Sequence, residues 1–152
     1  MASPLTHGLV AMAAFGTVSW GLGLPPVTPA FFLAAALSML ADLGERPDHS
    51  AHPPWGHSVL GLLVAASAAG ILAVTLPGWA GELPLVVLAG LGTHLLLDVF
   101  SLGGVYAFPR REGGAWRWRG IRWRLRYGDE DPLYNLCAAA PAVTGLVALL
   151  AR

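Results

Sequence analysis

Three histidines and two aspartates near the ends of apolar segments are the residues of this chain whose type and spacing could do chemistry: His7, Asp42, His57, His94 and Asp98. The most specific pair is His94 and Asp98, which lie four positions apart inside the apolar run Leu83–Leu102. A helix places such residues on one face, and ionisable groups within an apolar helix usually face a functional interior. Because imidazole nitrogens and carboxylate oxygens bind divalent metals, the pair predicts a metal site or a hydrogen-bonded structural pair.

The composition is typical of a membrane protein. Of the 152 residues, 55% are hydrophobic and only 12% are charged, which is more apolar than an ordinary soluble domain. The length fits one domain over residues 1–152. The single cysteine, Cys137, excludes a disulfide within the chain and is expected to be a packing residue. We therefore expect a membrane-embedded domain rather than a very apolar soluble helical core.

Five apolar segments are separated by turn residues. Crossing a bilayer takes about 20 helical residues, and four segments reach that length, whereas the second is short by about one turn. Small residues recur in these segments and allow membrane helices to approach closely. The predicted fold is therefore an all-α, polytopic membrane bundle of about five helices, made of Leu5–Leu24, Thr28–Leu43, Trp55–Leu76, Leu83–Leu102 and Pro132–Ala151.

Alternating connections place all five polar residues on the side of the N-terminus. His7 begins the first segment, Asp42 ends the second, His57 begins the third, and the His94/Asp98 pair lies in the last half of the fourth. The same side carries Arg46 and seven of the nine arginines, which fall in the region 110–126. The positive-inside rule makes this side cytoplasmic. Because no basic residue precedes Arg46, we expect the first segment to be a retained helix rather than a signal peptide.

A segment rich in arginine and tryptophan, 116–127, alternates apolar and basic residues. Strict period two indicates a strand, so we expect a basic β-hairpin insertion at about 107–130 that turns near Arg119 and Gly120. Three interpretations stay open: a membrane-surface hairpin with arginines on anionic headgroups, a clamp for a substrate phosphate, and a nucleic-acid surface. The small patch beside a bilayer favours the first, and no nucleic-acid partner is expected.

The chain resembles the YdjM-like family of membrane-bound metal-dependent hydrolases over nearly its whole length. The fourth-segment motif, from Thr93 to Gly104, is the most specific part of the resemblance. The shorter matches are Thr6-His7-Gly8, Leu40-Ala41-Asp42, Gly56-His57-Ser58 and Phe108-Pro109. The resemblance implies a helical fold and motifs distantly like those of zinc-dependent phospholipase C.

Together, the residues and the resemblance predict a hydrolase of lipid or other phosphoesters at the cytoplasmic membrane face. The metal ligands would be His7, Asp42, His57, His94 and Asp98, holding one or two divalent ions, zinc first and manganese or magnesium as alternatives. Asp42, His94 and Asp98 would be catalytic. Arg110, Arg111, Ser101 and Asn135 would assist substrate binding.

Two other functions are consistent with the same residues. One is a non-enzymatic membrane protein whose metal site is structural, sensing or transporting, and the other is a haem-binding bundle with paired histidines. Transport is disfavoured because the segment halves opposite the polar side carry almost no polar residues. The substrate, the metal, the oligomeric state and the roles of His49 and His52 stay open.

Overall fold

The computed structural model of the chain describes residues 3–42, 55–76, 78–100, 104–121 and 132–151. This part of the chain is mostly helical, with one two-stranded antiparallel sheet. The elements are α1 (Pro4–Gly21), α2 (Pro29–Leu40), α3 (Val59–Thr75), a 3-10 turn (Gly78–Glu82), α4 (Leu83–Val87), a π-helical segment (Leu88–Gly92), α5 (Thr93–Asp98), β1 (Val105–Glu112), β2 (Ala115–Ile121) and α6 (Pro132–Leu150).

Proline and hydroxyl residues begin three of the helices. In α1, the Ser3 hydroxyl accepts a hydrogen bond from the Thr6 amide, and Pro4 occupies the first turn. Ser58 caps α3 in the same way through the Gly61 amide. Thr28 is the N-cap residue of α2, but its hydroxyl donates to Glu82 instead of capping the helix. This contact ties the start of α2 to the segment before α4.

The fourth apolar run forms a composite helix, Ala80–Asp98, rather than a uniform α-helix. Its middle, Leu88–Gly92, is π-helical. A Cβ on Gly90 would lie 2.9 Å from the Ala34 carbonyl oxygen of α2, so the small residue lets the two backbones meet. Because a π turn adds a residue to the helical repeat, it resets the direction in which α5 presents His94.

Two small apolar clusters hold the helices together. One joins α1, α2 and the composite helix around Phe15, Phe31 and Val86. The other joins the end of α2 to α3 and the composite helix through Ala41, Ala69 and Leu91. These clusters align the end of α2, the start of α3 and the end of α5, which carry the predicted site residues.

The predicted hairpin is present, but its turn was placed wrongly. Glu112 pairs with Ala115, so the chain reverses at Gly113 and Gly114 and not near Arg119 and Gly120. Both turn glycines have positive φ, 57° and 85°, the conformation that a two-residue hairpin turn of type I′ requires and that glycine adopts without strain. The second half of the expected insertion, 122–130, lies outside the described residues.

Two helices of the described chain are long and apolar enough to cross a membrane: Ala80–Asp98 and Pro132–Leu150. The shorter helices α2 and α3 are apolar but contain 12 and 17 residues. The sequence predicts five membrane crossings. Within the described ranges, two helices have the length and the apolar character that a crossing requires. The first two helices end before their apolar runs do. Helix α1 ends at Gly21 and α2 ends at Leu40.

Candidate metal centre

The structure brings four of the five predicted ligands into one cluster, hereafter the metal cluster: Asp42, His57, His94 and Asp98. Asp42 follows the end of α2, His57 precedes the start of α3, and His94 and Asp98 lie on one face of α5. One potential ligand atom from each residue lies within 4.8 Å of all the others. Three separate segments of the chain therefore converge on one point.

The distances within the metal cluster match the spacing of ligands around one ion. Nε2 of His57 lies 3.0 Å from Nε2 of His94 and 3.1 Å from Oδ1 of Asp42. Oδ2 of Asp98 lies 3.3 Å from Nε2 of His57 and 3.1 Å from Nε2 of His94, which is 3.4 Å from Oδ1 of Asp42. Tetrahedral zinc with bonds of about 2.0–2.1 Å separates its ligands by about 3.3 Å. The donor set and its spacing therefore fit a divalent ion.

His7, the fifth predicted ligand, lies beside the metal cluster. Its Nε2 is 3.4 Å from Oδ1 of Asp98, the second carboxylate oxygen, and its ring stacks on that of His94 with centroids 4.1 Å apart. The side chain is fully buried, and its Nδ1 has no hydrogen-bond partner among the described residues. Burying a polar nitrogen without a partner costs free energy, which indicates a role beyond packing.

Among the described site residues, Asp42 is the most exposed. His7, His57, His94 and Asp98 are fully buried, whereas 13% of the Asp42 side chain is exposed. Solvent therefore reaches the cluster beside Asp42. Because charged groups are rarely buried without a partner, the arrangement of two carboxylates among three imidazoles is self-compensating.

Asp42 and its neighbour His57 have opposite pKa shifts. Burial opposes ionisation of Asp42, but hydrogen bonds from His57 and His94 outweigh burial and hold its pKa well below the ordinary value. Burial also opposes the charged form of His57, yet its hydrogen bonds to Asp42 and Asp98 prevail and raise its pKa above the ordinary value. At neutral pH, Asp42 is thus a carboxylate that neighbours a readily protonated imidazole.

Close backbone packing holds His57 next to Asp42. A Cβ on Gly56 would lie only 2.5 Å from the Ala41 carbonyl oxygen, and a Cβ on Gly61 would lie 2.0 Å from the Trp55 carbonyl oxygen. Only glycine permits these approaches. The Gly56–Ala41 contact joins the residues directly before His57 and Asp42, and so it fixes the spacing of the two ligands.

The hairpin is attached to the metal cluster through its backbone. The Tyr106 amide of β1 donates a hydrogen bond of 2.7 Å to the His57 carbonyl oxygen. Beside this contact, the Trp118 ring lies 6.0 Å from that of Tyr106 and 6.5 Å from that of Trp55. The sequence does not predict this attachment, because a backbone amide leaves no signal in residue type.

Helix α6 anchors the neighbours of two site residues. The Tyr134 hydroxyl donates to the Leu97 carbonyl oxygen at 2.6 Å, one residue before Asp98. The Asn135 side-chain oxygen accepts hydrogen bonds from the Ser3 amide at 2.7 Å and from the Thr6 hydroxyl at 2.9 Å, one residue before His7. Asn135, predicted to assist the substrate, is thus placed between helices rather than among the ligands.

The remaining predicted substrate residues have different positions. Arg110 and Arg111 are exposed on β1, and Arg110 lines a pocket on the hairpin while Arg111 does not. Ser101, Arg46, His49 and His52 lie outside the described residues. The exposed Cys137 of α6 lies on the surface and not in the expected packed position.

Comparisons with protein-family models, with curated proteins and with solved structures give no match to this chain. The chemistry of the site therefore has to be inferred from its own residues and geometry.

Proposed function

We propose that this chain is a membrane-embedded, metal-dependent hydrolase of the YdjM-like kind that cleaves an ester or phosphoester bond, with a lipid as substrate, at the cytoplasmic membrane face. The observation that carries the proposal is the metal cluster, in which five of the six ligand-atom separations run from 3.0 to 3.4 Å and all four atoms lie within 4.8 Å of one another. Zinc is the preferred ion for such a set of nitrogen and oxygen donors, and manganese or magnesium are the alternatives.

Each residue has a distinct task in this proposal. Asp42, His57, His94 and Asp98 would hold the ion, and His7 would bind beside it through the second oxygen of Asp98. A bound divalent ion supplies a water of lowered pKa and polarises the bond to be cleaved. Asp42 is the exposed carboxylate of the set, so it would accept a hydrogen bond from an arriving water and orient it. His94 and Asp98 keep their mutual geometry through the rigid spacing of α5.

The apolar surface of the helices supports a membrane location. Only 17% of the span Pro132–Leu150 is buried inside the fold, and Leu133, Leu136, Val147 and Leu150 are each at least 60% exposed. An apolar helix this exposed requires a cover, which lipid provides. The arginines of the hairpin lie on the side of the metal cluster, and the positive-inside rule would then make that side cytoplasmic. A multi-pass arrangement would include the shorter apolar helices α2 and α3.

A second function is favoured by one observation. Four protein ligands in a closed site are typical of structural zinc, whereas catalytic zinc has three ligands and an open position. Since four site residues are fully buried, a non-enzymatic protein with a structural or sensing ion is the second candidate. Haem is disfavoured, because imidazole nitrogens 3.0 Å apart leave no space for a porphyrin between them.

Metal analysis combined with a substrate screen tests the proposal. Full-length protein purified in neutral detergent should contain zinc or another divalent ion, and it should hydrolyse a phospholipid or a simple phosphoester. Asp42→Asn should reduce turnover by at least about 100-fold, because it removes a carboxylate that would both hold the ion and contact the arriving water. Metal-loaded wild-type protein without any hydrolysis would favour the structural or sensing function. His94→Ala protein with the wild-type metal content would exclude the metal cluster as the binding site.

A further inference from the structure

A second cluster of charged residues lies on the hairpin, apart from the metal cluster. Arg110, Arg117 and Arg119 line a concave pocket of about 590 Å³, together with Glu112, Trp118 and Gly120. We call this the basic pocket. Its three arginines face one glutamate, so it has a net positive charge. The metal cluster does not include these residues, and of the three arginines the sequence predicts a role in substrate binding for Arg110 alone, so their convergence needs its own explanation.

The strand register forces like charges together. Arg110 of β1 lies directly opposite Arg117 of β2, and Arg119 follows two residues later on the same face. Like charges directly opposite each other destabilise a sheet. Within the described part of the chain, none of the three arginine side chains takes part in an ion pair. Among the described residues, one carboxylate, that of Glu112, lines the pocket beside three guanidinium groups. An arrangement that costs free energy and leaves this excess of positive charge is explained by an anion from outside.

Arginine side chains determine which anion fits. Planar guanidinium groups donate paired hydrogen bonds to carboxylate and phosphate oxygens. Three of them around one concavity match the three or more oxygens of a phosphate better than the two of a carboxylate. Trp118 lines the pocket, and its ring lies 6.5 Å from that of Trp55, which is 71% exposed. Tryptophans beside arginines are typical of the membrane interface.

We infer that the basic pocket binds a phosphate group, carried by an anionic phospholipid headgroup, through Arg110, Arg117 and Arg119. The inference deepens the proposed function and rests on it for the identity of the phosphate carrier. The pocket also has a direct connection to the metal cluster. Gly120 lines the pocket and pairs with Tyr106, and the Tyr106 amide donates to the His57 carbonyl oxygen. A headgroup bound here would lie next to the segment that carries a metal ligand.

Calorimetric titration of the full chain in non-ionic detergent tests the inference. The probes are short-chain phosphatidylglycerol, short-chain phosphatidylcholine, inorganic phosphate and a single-stranded oligonucleotide. We expect phosphatidylglycerol to bind and phosphatidylcholine to bind much more weakly. Arg117→Gln should weaken binding of phosphatidylglycerol on the order of tenfold, the typical effect of one charged hydrogen bond. Higher salt should weaken it further.

Arg111→Gln is the matched control. It removes the same charge from the same hairpin, but Arg111 pairs with Trp116 and does not line the pocket. Equal losses in Arg111→Gln and Arg117→Gln would overturn the inference, because binding would then follow net charge. Circular dichroism and metal content of both variants should equal those of wild type, and His94→Ala protein should bind phosphatidylglycerol as wild type does. This last measurement separates a failure of the pocket from a failure of the metal site.

The probes distinguish the source of the phosphate. Binding of phosphatidylglycerol that inorganic phosphate does not displace at millimolar concentration would support a lipid headgroup. Inorganic phosphate that binds as tightly as the lipid, with the same dependence on Arg117, would support the phosphate site but overturn the lipid as its carrier. Tighter binding of the oligonucleotide than of phosphatidylglycerol would overturn the inference.

Discussion

The Nε2 atoms of His57 and His94 lie 3.0 Å apart, fully buried, with a carboxylate oxygen of Asp42 and one of Asp98 on either side. Two imidazolium groups at this distance would repel each other. Protonation of both histidines is therefore an unfavourable way to balance the charge of the two carboxylates. One divalent ion satisfies all four at once, since every member offers a lone pair. Metal ions and protons should therefore compete for the same atoms.

Metal binding should stabilise the fold. A ligand at about 100 times its dissociation constant adds about 2.7 kcal/mol to the free energy of unfolding, which raises Tm by about 5–10 °C in a chain of this size. Chelation of the purified protein should lower Tm by that amount, and added zinc should restore it. Differential scanning fluorimetry in detergent provides the measurement.

Two variants of α5 make the thermal experiment specific. His94→Ala should abolish the rise in Tm on addition of zinc, because it removes a ligand that contacts three other members of the metal cluster. Leu96→Ala is the matched control, since this side chain is 61% exposed on the same short helix. A zinc response of equal size in both variants would contradict the site.

Metal affinity should rise with pH until the pH exceeds the pKa of His57. Burial disfavours the protonated form of His57, but its hydrogen bonds to Asp42 and Asp98 outweigh burial and raise its pKa above the ordinary value, so below that pKa an ion must displace its proton. Asp42 has a lowered pKa and is already ionised there, so it adds no pH dependence. Displacing one proton changes the apparent affinity by up to about tenfold per pH unit. Zinc titrations at three pH values measure the slope, and an affinity independent of pH would show that His57 does not bind the ion.

The sequence predicted the convergence of the polar residues because that depends only on the order of the helices. His57 follows Asp42 after one connection, and α5 returns to the same end, so alternation of direction suffices to bring them together. His94 and Asp98 are four positions apart, and this spacing likewise places them on one face of the helix. These parts of the site follow from chain direction and helical period.

Other features depend on backbone packing, which residue type does not reveal. The π-helical segment exists where Gly90 meets the Ala34 carbonyl, a contact between distant residues. The hairpin turn was predicted near Arg119 and Gly120, where Gly120 interrupts the alternation, whereas the turn lies at Gly113 and Gly114, two adjacent residues with positive φ. The hydrogen bonds of Asn135 to Ser3 and Thr6 join opposite ends of the chain, and its residue type does not reveal them, whereas its predicted role in substrate binding stays a prediction.

Gly56→Ala should weaken metal binding without any change to a ligand. The added Cβ would lie 2.5 Å from the Ala41 carbonyl oxygen, so the backbone must move apart between His57 and Asp42. A shift of a few tenths of an ångström at two ligands should lower zinc affinity by at least about tenfold, the effect typical of disturbed support around a metal site. Zinc competition with a chromophoric chelator gives the affinity.

The matched control for this substitution is Gly70→Ala in α3. A Cβ at Gly70 meets no atom within 4 Å, and alanine is favoured over glycine in a helix by up to about 1 kcal/mol. Gly70→Ala should therefore retain zinc affinity and have an equal or higher Tm. If Gly56→Ala binds zinc as tightly as Gly70→Ala does, the Gly56–Ala41 contact does not position the ligands.

Asn135→Ala separates support of the site from contact with the substrate. The substitution removes the acceptor of hydrogen bonds from the Ser3 amide and the Thr6 hydroxyl, and each lost bond costs about 1 kcal/mol of stability. We expect the free energy of unfolding to fall by about 1–2 kcal/mol, with unchanged affinity for substrate or phospholipid. Thr144→Ala is the control, because its hydroxyl bonds only to the Ala140 carbonyl within the same helix, and it should change stability far less. Weaker ligand binding by Asn135→Ala, with wild-type stability, would instead return Asn135 to the substrate site predicted from the sequence.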